Sequence, residues 1–93
     1  MARSANAGKK KVRFEYLGNS GDEVFVAGNF NGWDPTASPL KEDGDGVFSR
    51  TMFVEKGECE YKFVVNGTWC VDPACSDWVP NEMGSLNSVI KVN

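Results

Sequence analysis

"CEYKFVVNGTWCV", residues 59–71, is the stretch that decides the fold. Asn66-Gly67 separates two runs rich in β-branched and aromatic residues. A two-residue Asn-Gly loop is a hairpin turn of type I′, because both central positions need positive φ. The turn sets the register: Val65 opposite Thr68, Val64 opposite Trp69, Phe63 opposite Cys70. Side chains alternate between faces along each strand. Cys59, Tyr61, Phe63 and Val65, with Cys70 beside them, then form one apolar face. Glu60, Lys62, Val64 and Trp69 form the other. An unpaired buried charge is costly, so the face with Glu60 and Lys62 is expected to be the wet one. Trp69 is thereby expected on a solvated sheet surface, diagonal to Lys62.

Strand signals continue in both directions. "KVRFEY" (11–16) alternates Val12, Phe14 and Tyr16 against charged residues, and "EVFVA" (23–27) and "VFSRTMFVE" (47–55) are further strand-like runs. "DGDG" (43–46) is a tight turn and "KGE" (56–58) a reverse turn. "SLNSVIKV" (85–92) reads as a closing strand, with Leu86, Ile90 and Val92 inward and Ser85, Asn87 and Val89 outward. No window of ten residues carries a helical period. About seven short strands with frequent turns predict an all-β sandwich.

The 93 residues suit one domain. Residues 1–13 hold five of the ten basic residues and no acidic one, leaving five basic against 13 acidic, a net −8, for the rest. Residues 1–10 contain almost nothing apolar and are expected to form a disordered basic arm, with the folded domain at 11–93. An acidic body repels a phosphate backbone, which argues against nucleic acid as a partner. No apolar stretch approaches the roughly 18 residues of a membrane span, and the N-terminus has no apolar h-region of a secretory signal. Three cysteines, Cys59, Cys70 and Cys75, are an odd number and read as free thiols of a cytoplasmic protein. With no His and no CxxC pair, neither a metal site nor another cofactor is expected.

"NFNGWDP", residues 29–35, puts Trp33 in a turn between Gly32 and Asp34, where small polar residues are the rule. Either Trp33 packs on the end of the sandwich or it faces a ligand. A Trp on a rigid wet surface suits a flat ligand, either a nucleobase or a sugar ring. The acidic body disfavours the nucleobase. A sugar offers an apolar C–H face to indole and hydroxyls at its rim, which Lys, Asn, Ser and backbone groups can bond.

Taken together, "EVFVAGNFNGWDP", "GECEYKFVVNGTWCVDP" and "MGSLNSVIKV" resemble a family. They are similar to the glycogen-binding domain of AMP-activated protein kinase beta subunits, a family 48 carbohydrate-binding module that also occurs in glucan-branching and debranching enzymes. The likeness runs from about Val12 to Val92. It implies an immunoglobulin-like β-sandwich of the early-set type that binds α-1,4-linked glucans such as glycogen or starch. By motif position, Trp33 and Trp69 would be the stacking pair, Lys62 the hydroxyl-binding Lys and Asn87 the hydrogen-bonding Asn. Met83 stands where the kinase domain has a Leu that pushes into the glucan ring, and Ser85 where it has a Thr. Trp78 matches no part of the pattern; it reads as core or as a third contact.

Two other function classes compete with this reading. Catalysis is disfavoured: without His there is no Ser-His or Cys-His pair, and Asp34, Asp43, Asp45 and Asp72 all sit in turns, where Asp ordinarily stabilises the backbone. A protein-interaction module of a glucan-metabolising enzyme or kinase complex is the alternative, since a Trp pair can anchor a protein hot spot. Polar Lys62 and Asn87 flanking the Trp pair favour the sugar.

Overall fold

A computed structural model describes residues 9–93. Over that span the chain is all-β, with eight strands: β1 (Lys9–Leu17), β2 (Val24–Gly28), β3 (Lys41–Glu42), β4 (Val47–Glu55), β5 (Gly57–Val65), β6 (Thr68–Cys70), β7 (Trp78–Pro80) and β8 (Leu86–Val92). They form two antiparallel sheets, one in the order β1-β4-β3 and one in the order β2-β5-β8-β7 with β6 paired on β5. This is the expected β-sandwich, with two strands, β3 and β7, too short for alternation to reveal them.

β1 begins at Lys9, inside the span expected to be an arm. Lys10 pairs with Val54 and Lys11 with Phe53, so the ladder extends N-terminally past Val12, the first apolar residue of β1. Backbone pairing with β4 needs no apolar side chain, which is why composition missed it. Residues 1–8 of the expected arm lie outside the described residues. Where Arg13 and Glu15 point outward they form an ion pair of 3.0 Å, the single one among the described residues. Exposed pairs of this kind add little stability.

The core lies between the sheets. Phe14, Val24, Val26, Leu40, Phe48, Val54, Cys59, Tyr61, Phe63 and Val92 are its buried members. Five rings run through it in sequence. Phe30 stacks on Phe14 at 5.3 Å, Phe14 meets Tyr61 edge-on at 5.0 Å, Tyr61 meets Phe63 at 5.8 Å, and Phe63 meets Tyr16 at 5.3 Å. Each such contact is worth roughly 0.5–1.5 kcal/mol beyond its buried area. None of these pairs includes a Trp.

Deep in this core the Tyr61 hydroxyl donates to Asp72 Oδ2 at 2.7 Å. Asp72 Oδ1 accepts the Ala74 N–H at 2.9 Å, and the Asp72 N–H donates to Ser88 Oγ at 2.8 Å. Burial first, and then the Asp72 carboxylate, push the Tyr61 phenol well above its usual range. Asp72 thus does what a turn Asp ordinarily does, and also anchors a core tyrosine.

The β5–β6 hairpin has the register expected from its turn: Phe63 with Cys70, Val64 with Trp69, Val65 with Thr68. Asn66 and Gly67 have φ of 50° and 83°, both positive as type I′ requires. Asn66 also ties the hairpin to β2. Its Oδ1 accepts the Glu23 N–H at 2.9 Å and its Nδ2 donates to Asp22 Oδ1 at 3.0 Å.

Candidate functional site

β5 changes partner half-way along one edge. Gly57 to Tyr61 pair with β8, and Phe63 to Val65 pair with β6. Between them Lys62 has a ladder partner on the β2 side only, Ala27. The outer face of this sheet is fixed by the register. Glu60 lies opposite Val89, Asn87 opposite Val79 and Trp69 opposite Val64. Over the gap at Lys62 lies an open groove of about 1000 Å³. Its walls are the turn after β2, strand β6, and the loop between β7 and β8.

All six residues singled out in the sequence line this groove: Trp33, Lys62, Trp69, Met83, Ser85 and Asn87. Glu60, Pro80, Asn81 and Glu82 complete it. Trp69 is 42% exposed, as the hairpin parity requires, and Met83, at the loop tip, is 92% exposed. Trp78 is neither core nor a groove residue. It stands 52% exposed on edge strand β7, opposite Ser88, on the face away from the groove.

The Trp33 turn is built by its neighbours. Gly28 must be glycine, because a Cβ there would overlap the Phe30 ring and the Glu60 carbonyl oxygen. Phe30 thereby plugs the core end while the chain turns back. The Gly28 carbonyl accepts the N–H of both Asn31 and Trp33, at 3.1 and 2.9 Å. The Asn31 side chain accepts from Gly28 N–H and donates to the Val26 carbonyl and to Ser38 Oγ, each at 3.0 Å. This clamp forces the next two residues left-handed: φ is 67° at Gly32 and 59° at Trp33. A left-handed Trp is a rare and strained conformation. Asp34 closes the turn by accepting from the N–H and hydroxyl of Thr36, at 2.9 and 3.0 Å. Trp33 itself is half-buried and on the groove wall.

Three exposure expectations are corrected. The face with Glu60 and Lys62 is not simply wet: Lys62 is 9% exposed and Asn87 6%. A long Lys stem lies along the sheet while its ammonium reaches the groove. There Lys62 Nζ donates to Ser85 Oγ at 2.9 Å, which leaves two of its three N–H groups for other acceptors. Asn87 pairs with Val79 of β7, and its side chain is bonded to Glu60 of β5 and to Asn81, so it is not the surface Asn that parity alone suggests; Val89, two residues on, is buried as well. Leu86, read as inward, is exposed because the β8–β5 ladder reaches only to Ser88. Leu86 has only edge strand β7 beside it.

Asn87 Nδ2 donates to Glu60 Oε1 at 3.1 Å, and Asn87 Oδ1 accepts from Asn81 Nδ2 at 3.0 Å. Asn81 Oδ1 accepts the N–H groups of Met83 and Ser85, both at 3.0 Å. Sequence reasoning missed Glu60, Asn81 and Asn31 as builders of the site. Asn31 carried a signal, as an Asn just before a Gly in a turn; Asn81 lay in an irregular stretch with none.

Chemically the groove offers two indole surfaces and a set of hydrogen-bond donors. The residues lining it carry one cation, Lys62, and two carboxylates, Glu60 and Glu82. Such a surface suits a neutral, hydroxyl-bearing ligand with flat apolar faces. Among the described residues no group of three His, Cys, Asp or Glu could hold a metal ion, and no helix is long and apolar enough to cross a membrane. Burial raises the thiol of Cys70, on the core side of β6, although the Lys62 ammonium pulls it the other way.

Residues 10–93 match the family model described as the glycogen recognition site of AMP-activated protein kinase. The chain belongs to this family. Among its relatives, the 5'-AMP-activated protein kinase subunit beta-2 of Mus musculus is 36% identical over 72 residues, covering 77% of this chain and 26% of that protein. The beta-1 subunit of Sus scrofa is 33% identical over 88 residues, 95% of this chain and 68% of that sequence. The chloroplastic Protein PTST homolog 2 of Arabidopsis thaliana is 44% identical over 55 residues, 59% of this chain and 10% of that protein. The chain therefore spans about a quarter of the beta-2 subunits it matches.

Proposed function

We propose that this domain is a non-catalytic module that binds α-1,4-linked glucans. Trp33 and Trp69 stack on glucose rings, Lys62, Ser85 and Asn87 bond the hydroxyls, and Met83 projects against the sugar from the loop tip. The observation that carries this reading is the meeting of two indoles with an under-used ammonium in one groove of a glycogen-recognition fold. Stacking one sugar face on indole removes about 100 Å² of apolar surface from water, worth roughly 2.5 kcal/mol at ~25 cal/mol per Å². Two stacks and a few hydrogen bonds, less the ordering of a flexible oligosaccharide, leave about −5 to −7 kcal/mol. The dissociation constant is then between about 10 μM and several hundred μM.

The module serves a larger glucan-metabolising or kinase assembly in the cytoplasm, as its kinase-subunit relatives and three free thiols suggest. It needs no cofactor and binds neither nucleic acid nor membrane.

The test is a calorimetric titration with maltohexaose and cellohexaose. An α-1,4 chain curls, so two platforms can touch successive parts of it, whereas a flat β-1,4 ribbon engages one at a time. Maltohexaose is expected to bind at least about tenfold more tightly. Equal affinities would sink the linkage claim. Full binding by the Trp33→Ala/Trp69→Ala double variant would sink the site.

A further inference from the structure

We propose that Glu60 and Asn81 are positioning residues: through a hydrogen-bond chain that can run in one direction only, they fix which way the Asn87 carboxamide faces. The proposal rests on the glucan-binding reading of the groove. A carboxylate only accepts hydrogen bonds, and a backbone N–H only donates. Glu60 Oε1 therefore takes the Nδ2 end of Asn87, at 3.1 Å. That turns Asn87 Oδ1 toward Asn81, which must give it Nδ2, at 3.0 Å. Asn81 Oδ1 is left for the N–H groups of Met83 and Ser85, both at 3.0 Å. Reversing either carboxamide sets acceptor against acceptor at one end and donor against donor at the other.

The chain links a strand to a loop. It starts on β5, passes through β8, and ends on the two backbone positions that carry the Met83 and Ser85 side chains. Asn87 is 6% exposed, and Glu60 and Asn81 are half-buried, so water competes poorly for these bonds. With one N–H and one lone pair spoken for, Asn87 keeps one of each for a sugar hydroxyl. Ser85 Oγ already accepts from Lys62, which only donates, so its own O–H is free to donate as well. The relay thus sets the pattern of donors and acceptors that a glucan meets on this wall.

The experiment uses Glu60→Gln, Asn81→Asp and Asn87→Ala, with each of the first two also combined with Asn87→Ala. Gln at 60 keeps the size but offers an amide that can face either way. Asp at 81 keeps both backbone N–H partners and loses only the N–H given to Asn87. Each of these two changes should weaken maltoheptaose binding about three- to tenfold with the thermal midpoint held. Neither should weaken it further once Asn87 is Ala. An effect that persists in the Asn87→Ala background would overturn the proposal, because the residue would then act on the glucan or the loop directly. Unchanged binding in both single variants would also overturn it. A second readout needs no sugar: the Asn87 side-chain amide cross-peaks in a ¹⁵N–¹H spectrum should move in both variants, and unmoved peaks would overturn the relay. Moved peaks with no maltoheptaose binding by the unaltered protein would keep the relay and overturn the glucan reading instead.

Discussion

Replacing Trp33 by glycine and by alanine separates the strain of its backbone from the use of its ring. Trp33 has φ of 59°, held by the two N–H groups converging on the Gly28 carbonyl and by the Asn31 clamp. Nothing in that clamp involves the indole, so the left-handed conformation should survive its removal. Ala at this position keeps a left-handed cost of about 1–2 kcal/mol. Gly escapes it and gives back about 0.4–1 kcal/mol in unfolded-chain entropy. Trp33→Gly should therefore be about 1 kcal/mol more stable than Trp33→Ala, a difference of roughly 4–8 °C in thermal midpoint for a domain of this size. Both variants lose the same indole, the proposed platform, and should bind maltoheptaose at least about tenfold more weakly. Urea unfolding and calorimetric titration of the pair measure the two effects apart. If the Ala variant is as stable as the Gly variant, the turn relaxes without the ring, and the clamp does not impose the conformation. If Trp33→Gly binds maltoheptaose normally, the strained residue is not a platform at all.

Lys62→Met keeps the aliphatic stem along the sheet and removes the ammonium that donates to Ser85. Maltoheptaose binding should weaken by about 1.5–3 kcal/mol, the worth of a charged hydrogen bond, with little change in thermal midpoint; wild-type affinity would make Lys62 a purely structural residue. All three cysteines should titrate as thiols in the denatured, unreduced protein. In the folded protein burial pushes Cys59 up to about 11, so at pH 8 only about 0.1% is thiolate and iodoacetamide should label it far more slowly than in urea; fast labelling would contradict its place in the core. The Gly21 N–H, with further help from Ser20 and Gly46, holds the Glu42 carboxylate below its usual range. A folded-state value below the unfolded one contributes stability above about pH 4.5 that is lost as pH falls. Glu42→Gln should therefore flatten the drop in urea midpoint between about pH 5 and 3, and an unchanged slope would remove Glu42 from the acid response.

The hairpin was legible because it is local. Two adjacent residues, Asn66 and Gly67, fixed a register, and the register fixed the faces of Tyr61, Lys62, Phe63 and Trp69 without any knowledge of the rest of the molecule. β3 and β7 were not legible, since strands of two and three residues carry no period. Burial of Lys62 and Asn87 was misjudged for a different reason. Alternation tells which side of a sheet a residue is on, but not what a distant loop lays over it. Asn81, which covers Asn87, comes from an irregular stretch without a sequence signature.

The same limit explains why the groove itself could not be derived from spacing. Trp69 and Asn87 lie on β6 and β8, which do not pair with each other but share one edge of β5, end to end. Their closeness depends on β8 returning to β5 across an intervening hairpin and edge strand, a non-local pairing that no turn between them specifies. The partner change leaves Lys62 without a ladder neighbour on that side, and the opening is where its ammonium reaches Ser85. A longer β6 that paired with β5 as far as Tyr61 would displace β8, close the opening, and separate Asn87 and Ser85 from both Trp69 and Lys62. The shortness of β6, three residues before Asp72 turns away to bond Tyr61 and Ser88, is therefore what allows these groups to share one surface. The buried Tyr61–Asp72–Ser88 contact, on the opposite face of the sheet from Trp69 and Lys62, helps to set where the groove begins.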